Sequence, residues 1–581
     1  MNLSFLPLVL PTLFASPAAS LPAVTSPLGE VSLLAALPSD AFAVLHVPSP
    51  KALLASRETS RWVGFAMDAE WDSVLTEVVD SMDVDAGPGE LSAWRERLLG
   101  SLADSSGVVG FACGEIAEDA PEPTIGLIVR GGEESSRLLR RFIGDDAARR
   151  PLPNGAEVLV SEAGRAELYY ESNGLILVLS SPTIDESLVL AEECLNSMAA
   201  ADEASLFDLP GIGNYRAANP AMEFVVDTTP FMEAIRDSEP DMDPFEQRAF
   251  ESFASFRWVY SSFELGIGEE ADWNLYAPYD KDSFIGSGLS FFGQADKSLF
   301  DHAPIESLSA SVGAFDIKGF AAWVLGEIEN KSEEDHANAM AGLSGIQSAM
   351  GVDLMDDIIG NMTGQFLGFS SAPDVNAATG MLSLVGMANT TTFAASLEET
   401  EPFLELVESL LSISGMGESV TSETRAVGSD GGEIELYQTA EEVGFDVLLG
   451  VGAGRLFFST DPKTRASYFD LTGGKDSAKS IMDDPKRKAA VSGAEGAIIT
   501  IQPTAGFADV VESTGELLEL FMGEFIPDQD PELNPNGAEP DTSISTAAGK
   551  VADLIRRYFS GTMTGEVQIG DGLIHLRTIA R

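Results

Sequence analysis

The sequence predicts an α+β protein of two pseudo-repeated lobes, each a largely antiparallel sheet with helices packed on one face. Three observations carry this. Apolar runs alternate with polar residues at a period of two and are joined by tight turns, the pattern of antiparallel strands. Amphipathic stretches of helical period lie between them. The order of elements then recurs at a lag of roughly 270 to 280 residues, as in an internal repeat.

Both copies open with a short strand, a turn and an amphipathic helix, at residues 41–54 and 309–324. A strand and a helix come next, 123–130 with 134–143 in the first copy and 380–386 with 401–411 in the second. Residues 166–182 and 444–462 read as hairpins, each leading to a helix opened by Pro182 or Pro462, a residue suited to the first helical position. Asn173-Gly174 is a hairpin turn because both residues tolerate positive φ. Residues 221–231 and 496–507 each carry a strand into a further helix. The copies close with strand pairs, 257–266 with 272–279 and 562–569 with 573–579.

Residues 524–541 interrupt the second copy, and their density of Pro, Asn, Asp and Gly marks an acidic loop insertion. The expected organisation is a signal peptide at 1–20, a linker at 21–30, a first lobe at 31–305 and a second at 306–581. A protein or small-molecule ligand is expected between the lobes, since ligand sites favour domain interfaces.

Charge narrows the function classes. The chain carries 92 acidic and 34 basic residues, a formal net charge of -58. Nucleic-acid binding needs clustered Lys and Arg, and the short basic stretches here are each surrounded by acid. An anionic membrane surface repels the protein for the same reason.

The first twenty residues have an apolar centre followed by small residues, the layout of a secretory signal without a basic start. Pro7, Pro11 and Pro17 disfavour a membrane-spanning helix there, and no later stretch reaches the apolar length that spanning requires. An exported protein, periplasmic or extracellular and without a transmembrane segment after the signal, is expected. Its two cysteines, Cys113 and Cys194, permit one disulfide in such a compartment, with two buried thiols as the alternative.

Catalytic signatures are absent from the sequence. Gly450-Val-Gly-Ala-Gly454 reads as a hairpin turn, because strand rather than helix follows it. Gly473-Gly474-Lys475 lacks the first glycine and the hydroxyl residue of a phosphate-binding loop. Glu333 and His336 are spaced to share a helix face, but Ser332 and Asp335 mark an acidic helix start instead. The histidines His46, His302, His336 and His575 are far apart, and no Gly-x-Ser-x-Gly elbow is present. Calcium is the one cofactor with support: Asp528, Asp530 and Glu532 offer hard oxygen ligands on a turn-rich loop, with a solvated acidic loop as the competing reading.

The leader followed by Leu37-Pro-Ser-Asp-Ala-Phe-Ala-Val-Leu-His-Val-Pro-Ser-Pro-Lys-Ala-Leu-Leu54 resembles the start of an exported bacterial family known only as a domain of unknown function. Ser49-Pro50 departs from the acidic residue that family shows after the first proline. The resemblance implies a bacterial envelope or extracellular location and no activity. The functional expectation is therefore a non-enzymatic binding or structural component of the cell envelope. The alternatives are a hydrolase whose site is assembled from scattered residues, and a carrier of apolar ligands built on Phe-rich strands such as Phe291-Phe292 and Phe457-Phe458.

Overall fold

A computed structural model describes residues 33–74, 88–116, 122–143, 147–161, 165–200, 206–218, 220–239, 242–371, 391–414, 420–427, 432–439, 447–475, 477–513, 515 and 544–581. The expected signal peptide, linker and insertion at 524–541 lie outside these residues, as does the strand expected at 380–386.

The first ten strands are β1 (Ala41–Val47), β2 (Ser105–Cys113), β3 (Thr124–Gly131), β4 (Ala148–Pro151), β5 (Glu157–Ser161), β6 (Ala166–Ser172), β7 (Leu175–Ser181), β8 (Met222–Asp227), β9 (Trp258–Leu265) and β10 (Ala271–Pro278). There follow β11 (Ser309–Ala314), β12 (Met362–Ser370), β13 (Thr391–Leu397), β14 (Val420–Val427), β15 (Gly432–Thr439), β16 (Leu448–Gly452), β17 (Arg455–Ser459), β18 (Ile498–Pro503), β19 (Thr562–Gly570) and β20 (Leu573–Ala580). Helices alternate with these strands and the strand pairs are antiparallel, so the protein is α+β.

The chain divides into two compact units, Met1–Ser283 with Gly572–Ala580, and Phe284–Asp571 with Arg581. Residues after Ser283 join the second unit because they complete its core: Phe300 is wholly buried there, and the amide of Ala295 donates to the carbonyl of Gly496. In the first unit the strand order is β4-β5-β6-β7-β3-β2-β1-β8-β9-β10-β20. In the second it is β14-β15-β16-β17-β13-β12-β11-β18-β19.

Local chemistry explains the turns and helix starts. Asn173 and Gly174 between β6 and β7 have φ of 51 and 78°, and Ala453 and Gly454 between β16 and β17 have 49 and 71°. These paired left-handed residues match the twist of the flanking strands, so the Gly450–Gly454 stretch is indeed a hairpin. The helix Pro244–Ala254 opens on Asp243, whose carboxylate accepts from two backbone amides while Glu246 reaches back to the Asp243 amide. Ser332 caps the helix Glu333–Met350 through the Asp335 amide. Gly473 and Gly474 end the helix Pro462–Thr472, and Lys475 pairs there with Asp470.

The expectation of helices on one sheet face is corrected in both units. In the first, Val109, Ile128, Leu168 and Leu177 form one core with Leu190, Ala191 and Cys194 of the helix Ile184–Ala200. Val129, Tyr169 and Ile176 form a second core with Leu139 of the helix Glu133–Arg140. Neighbouring strand residues point to opposite faces, so Ile128 and Val129 serve different cores and both faces carry helices. In the second unit, too, helices pack on both faces. Val312, Leu367, Phe457 and Ile499 pack with Tyr468, Phe469 and Val491, while Leu397, Tyr437 and Val451 pack with Phe403 and Val407. Each fully buried aliphatic or aromatic side chain contributes about 1.5–3 kcal/mol.

A carboxylate-centred candidate functional site

Strand register brings a polar row onto the covered face of the first unit. His46 on β1 lies opposite Glu223 on β8, Glu223 opposite Ser262 on β9, Ser262 opposite Asn274 on β10, and Asn274 opposite Arg577 on β20. The next row inward is Val44, Val225, Tyr260, Tyr276 and His575. Alternation makes this possible: in Met222–Asp227 the residues at 223 and 225 share a face, so an acid is carried into the core beside a valine.

Glu223 is the centre of the site. Its side chain is fully buried and accepts from His46 Nδ1 at 2.8 Å, from Arg216 Nη2 at 2.6 Å and Nε at 2.9 Å, and from the Tyr260 hydroxyl at 3.3 Å. Burial alone would raise its carboxyl, but the hydrogen bonds from His46 and Arg216 outweigh it and hold the group below its usual range. The Tyr260 hydroxyl is pushed well up, by burial first and then by the neighbouring Glu223 charge. The Arg216 guanidinium lies over the Phe207 ring at 4.6 Å, a cation–π contact of about 0.5–1 kcal/mol.

An aromatic stack continues the site along the sheet. Tyr215 stacks on Tyr276 at 4.8 Å, and Tyr276 on His575 at 4.3 Å with ring planes 9° apart. His575 Nε2 lies 2.9 Å from Asn274 Oδ1, so this nitrogen carries the proton. Burial and then the Arg577 charge lower its basicity. Arg577 forms an ion pair with Asp272.

In chemical terms the His46–Glu223 pair is a carboxylate-oriented imidazole in which Nδ1 donates to Glu223. Among the described residues, Nε2 makes no hydrogen bond to a hydroxyl or thiol. The carboxylate itself has two cationic or polar neighbours on each oxygen and no remaining reach toward a substrate.

The residues singled out from sequence fall elsewhere. Cys113 ends β2, Cys194 lies on the helix Ile184–Ala200, and both are free, buried thiols in one core. Apolar packing around each sulfur accounts for their burial, and the same burial pushes both thiols far up. Asp528, Asp530 and Glu532 lie outside the described residues. Glu333 and His336 sit in the first turn of their helix, and among the described residues no three of His, Cys, Asp and Glu gather to hold a metal ion. Among the described residues no helix is long and apolar enough to cross a membrane. Sequence reasoning named His46 without its partner and missed Glu223, Arg216, Tyr260 and the stack. The available signal was an acidic residue on the apolar parity of a strand. No protein-family model, curated protein or solved structure matches this chain.

Proposed function

We propose that the protein is an exported, non-enzymatic binding or structural component of the bacterial cell envelope, built by duplication of one α+β unit. The observation that carries the non-enzymatic reading is the closed coordination of Glu223. His46, Arg216 and Tyr260 occupy its acceptor sites, so this buried polar cluster acts as a strut tying β1, β8 and β9 to the segment bearing Phe207 and Arg216. Breaking a satisfied buried network is costly, which suits a structural role.

Duplication is supported by the strand orders. Counted from each unit's first strand, both begin 4-5-6-7-3-2-1-8-9. On this reading the copies differ in the register of one pair of strands. Val44 opposite Val225 corresponds to Val312 opposite Ile499, and two residues on, the place of His46 and Glu223 is taken by Ala314 and Ala497. The strut belongs to one copy only. Export is supported by the apolar leader-like stretch at 1–20, and a strongly acidic protein suits an environment rich in screening ions.

The test pairs two measurements on the full protein and a His46→Ala variant. A thermal-shift screen against metabolites, lipids and peptides is expected to give a ligand-dependent rise in Tm. A panel of ester, phosphoester, glycoside and peptide substrates is expected to give no turnover. Turnover by the wild type that is lost in His46→Ala would overturn the reading in favour of a hydrolase using the free Nε2.

A further inference from the structure

Among the described residues, the first unit has a partly exposed apolar sheet face. On the side of β8, β9, β10 and β20 opposite the Glu223 strut, Phe224, Ser261, Leu275 and Leu576 form one cross-strand row. Phe263 and Trp273 stand in the next. Phe224, Trp273 and Leu576 are 38, 47 and 39% exposed, and the Trp273 indole donates to Ser261 Oγ at 2.7 Å, so its polar atom is satisfied by the sheet itself. A solvated antiparallel face ordinarily alternates to polar residues. The matching row of the second unit, Gly313, Ile498 and Val567, is apolar as well.

Charge selects the occupant. The helix Thr229–Ser238, which leaves β8, exposes Phe231 and Ile235 together with Glu233 and Asp237. The strand ends carry exposed Glu270, Asp280 and Asp282. The whole chain has a net charge of -58, which repels a second copy of itself and an anionic lipid surface alike. We propose that this face docks a cationic amphipathic helix of another protein, apolar side chains on the Phe224–Leu576 row and Lys or Arg towards the flanking carboxylates. A sheet face closes its layer by packing a helix, and helix-in-groove recognition uses one apolar stripe. The inference rests on the binding reading above and gives it a partner class.

The test uses the full chain and a synthetic Lys/Leu amphipathic helix. Four strands about 4.8 Å apart present roughly 20 Å, the length of about 14 helical residues. Dye-labelled peptide is titrated by fluorescence anisotropy beside a scrambled peptide of the same composition, a Glu/Leu amphipathic peptide and zwitterionic vesicles, at low and high salt. The amphipathic cationic peptide is expected to bind about tenfold or more tighter than the scrambled one, weaken with salt, and shift Trp emission to the blue in wild type but not in Trp273→Phe. The double variant Phe224→Thr/Leu576→Thr is expected to lose about tenfold or more in affinity. If that variant fails to fold, Trp273→Arg, which places a cation on the face, serves instead. Equal binding of scrambled and amphipathic peptides, unchanged affinity in the variants, preference for vesicles, or a dimer abolished by the variants would each overturn the proposal. A hit in the ligand screen without peptide binding would sink this inference and leave the binding reading standing.

Discussion

The ring of Phe111 on β2 lies directly over Gly126 on β3, its cross-strand partner, and occupies the space that a side chain at 126 would need. Phe111 is buried in the larger core of the first unit, so the ring has nowhere to retreat. An aromatic ring over a strand glycine supplies the packing that glycine lacks. Gly126→Ala is therefore expected to destabilise the protein by about 1–3 kcal/mol through overpacking. Urea unfolding of Gly126→Ala, Phe111→Leu and the double variant checks this. The smaller ring substitute should recover part of the loss, and additive losses would show that the two residues do not compete for one space.

Glu223→Gln tests the strut. The substitution keeps shape but leaves Arg216 and His46 facing a neutral amide in a buried setting. A loss of roughly 3 kcal/mol is expected, with a coupling of about 1 kcal/mol or more to Arg216→Met in a double-mutant cycle. A Glu223→Gln protein as stable as wild type would remove the structural reading of the cluster. The carboxyl is held below its ordinary value, so its stabilisation is present at neutral pH and is lost as pH falls through the folded value.

What could be read from the sequence was local. Asn173-Gly174 announced its hairpin because turn geometry depends on two adjacent residues, and Ser332 announced a helix start for the same reason. β4 escaped because Ala148–Pro151 is exposed along its whole length and has no alternation to detect. The candidate site escaped because its contacts are remote: His46 and Glu223 are 177 residues apart, and Asn274 and His575 are 301 apart. Alternation in β20 tells which residues share a face, but not that the strand adds to β10 in the first unit. The second helix layer was missed likewise, since Ile128 and Val129 are equally apolar and their division between two cores follows only from what packs on each side.

His302 sets a pH dependence in the second unit. Its Nε2 lies 2.9 Å from an Arg455 Nη, so it accepts and must be neutral, and burial followed by the Arg455 charge lowers its pKa from 6.5 to about 4. Between pH 6.5 and about 4 the unfolded chain binds a proton that the folded protein refuses, so stability falls as pH falls through that window. Asp40 and Glu264, whose carboxyls are raised first of all by burial, act in the opposite sense. The comparison must therefore be with His302→Gln, which keeps an acceptor for Arg455 but does not titrate. The variant is expected to lose less stability than wild type between pH 6.5 and 4.5, and identical pH profiles would exclude His302 as the source.

Cys113 and Cys194 give the last prediction, because burial and redox state make opposite demands on them. Their residues are 2 and 0% exposed, Cys113 Sγ is directed at the Thr124 carbonyl, and the apolar surroundings that bury them disfavour the thiolate needed for exchange. Native protein at pH 8 is expected to react with an aromatic disulfide reagent no faster than it opens, and to release two equivalents at once in denaturant. Cys194→Ser is expected to cost about 1–3 kcal/mol, since it places a hydroxyl in an apolar core, whereas Cys194→Ala loses only the sulfur's packing. If the denatured protein releases no thiol until a reductant is added, the two sulfurs are bonded and the core must accommodate a disulfide between β2 and the helix Ile184–Ala200. Two thiols that react rapidly in the native state would instead mean that this core opens far more readily than its packing implies.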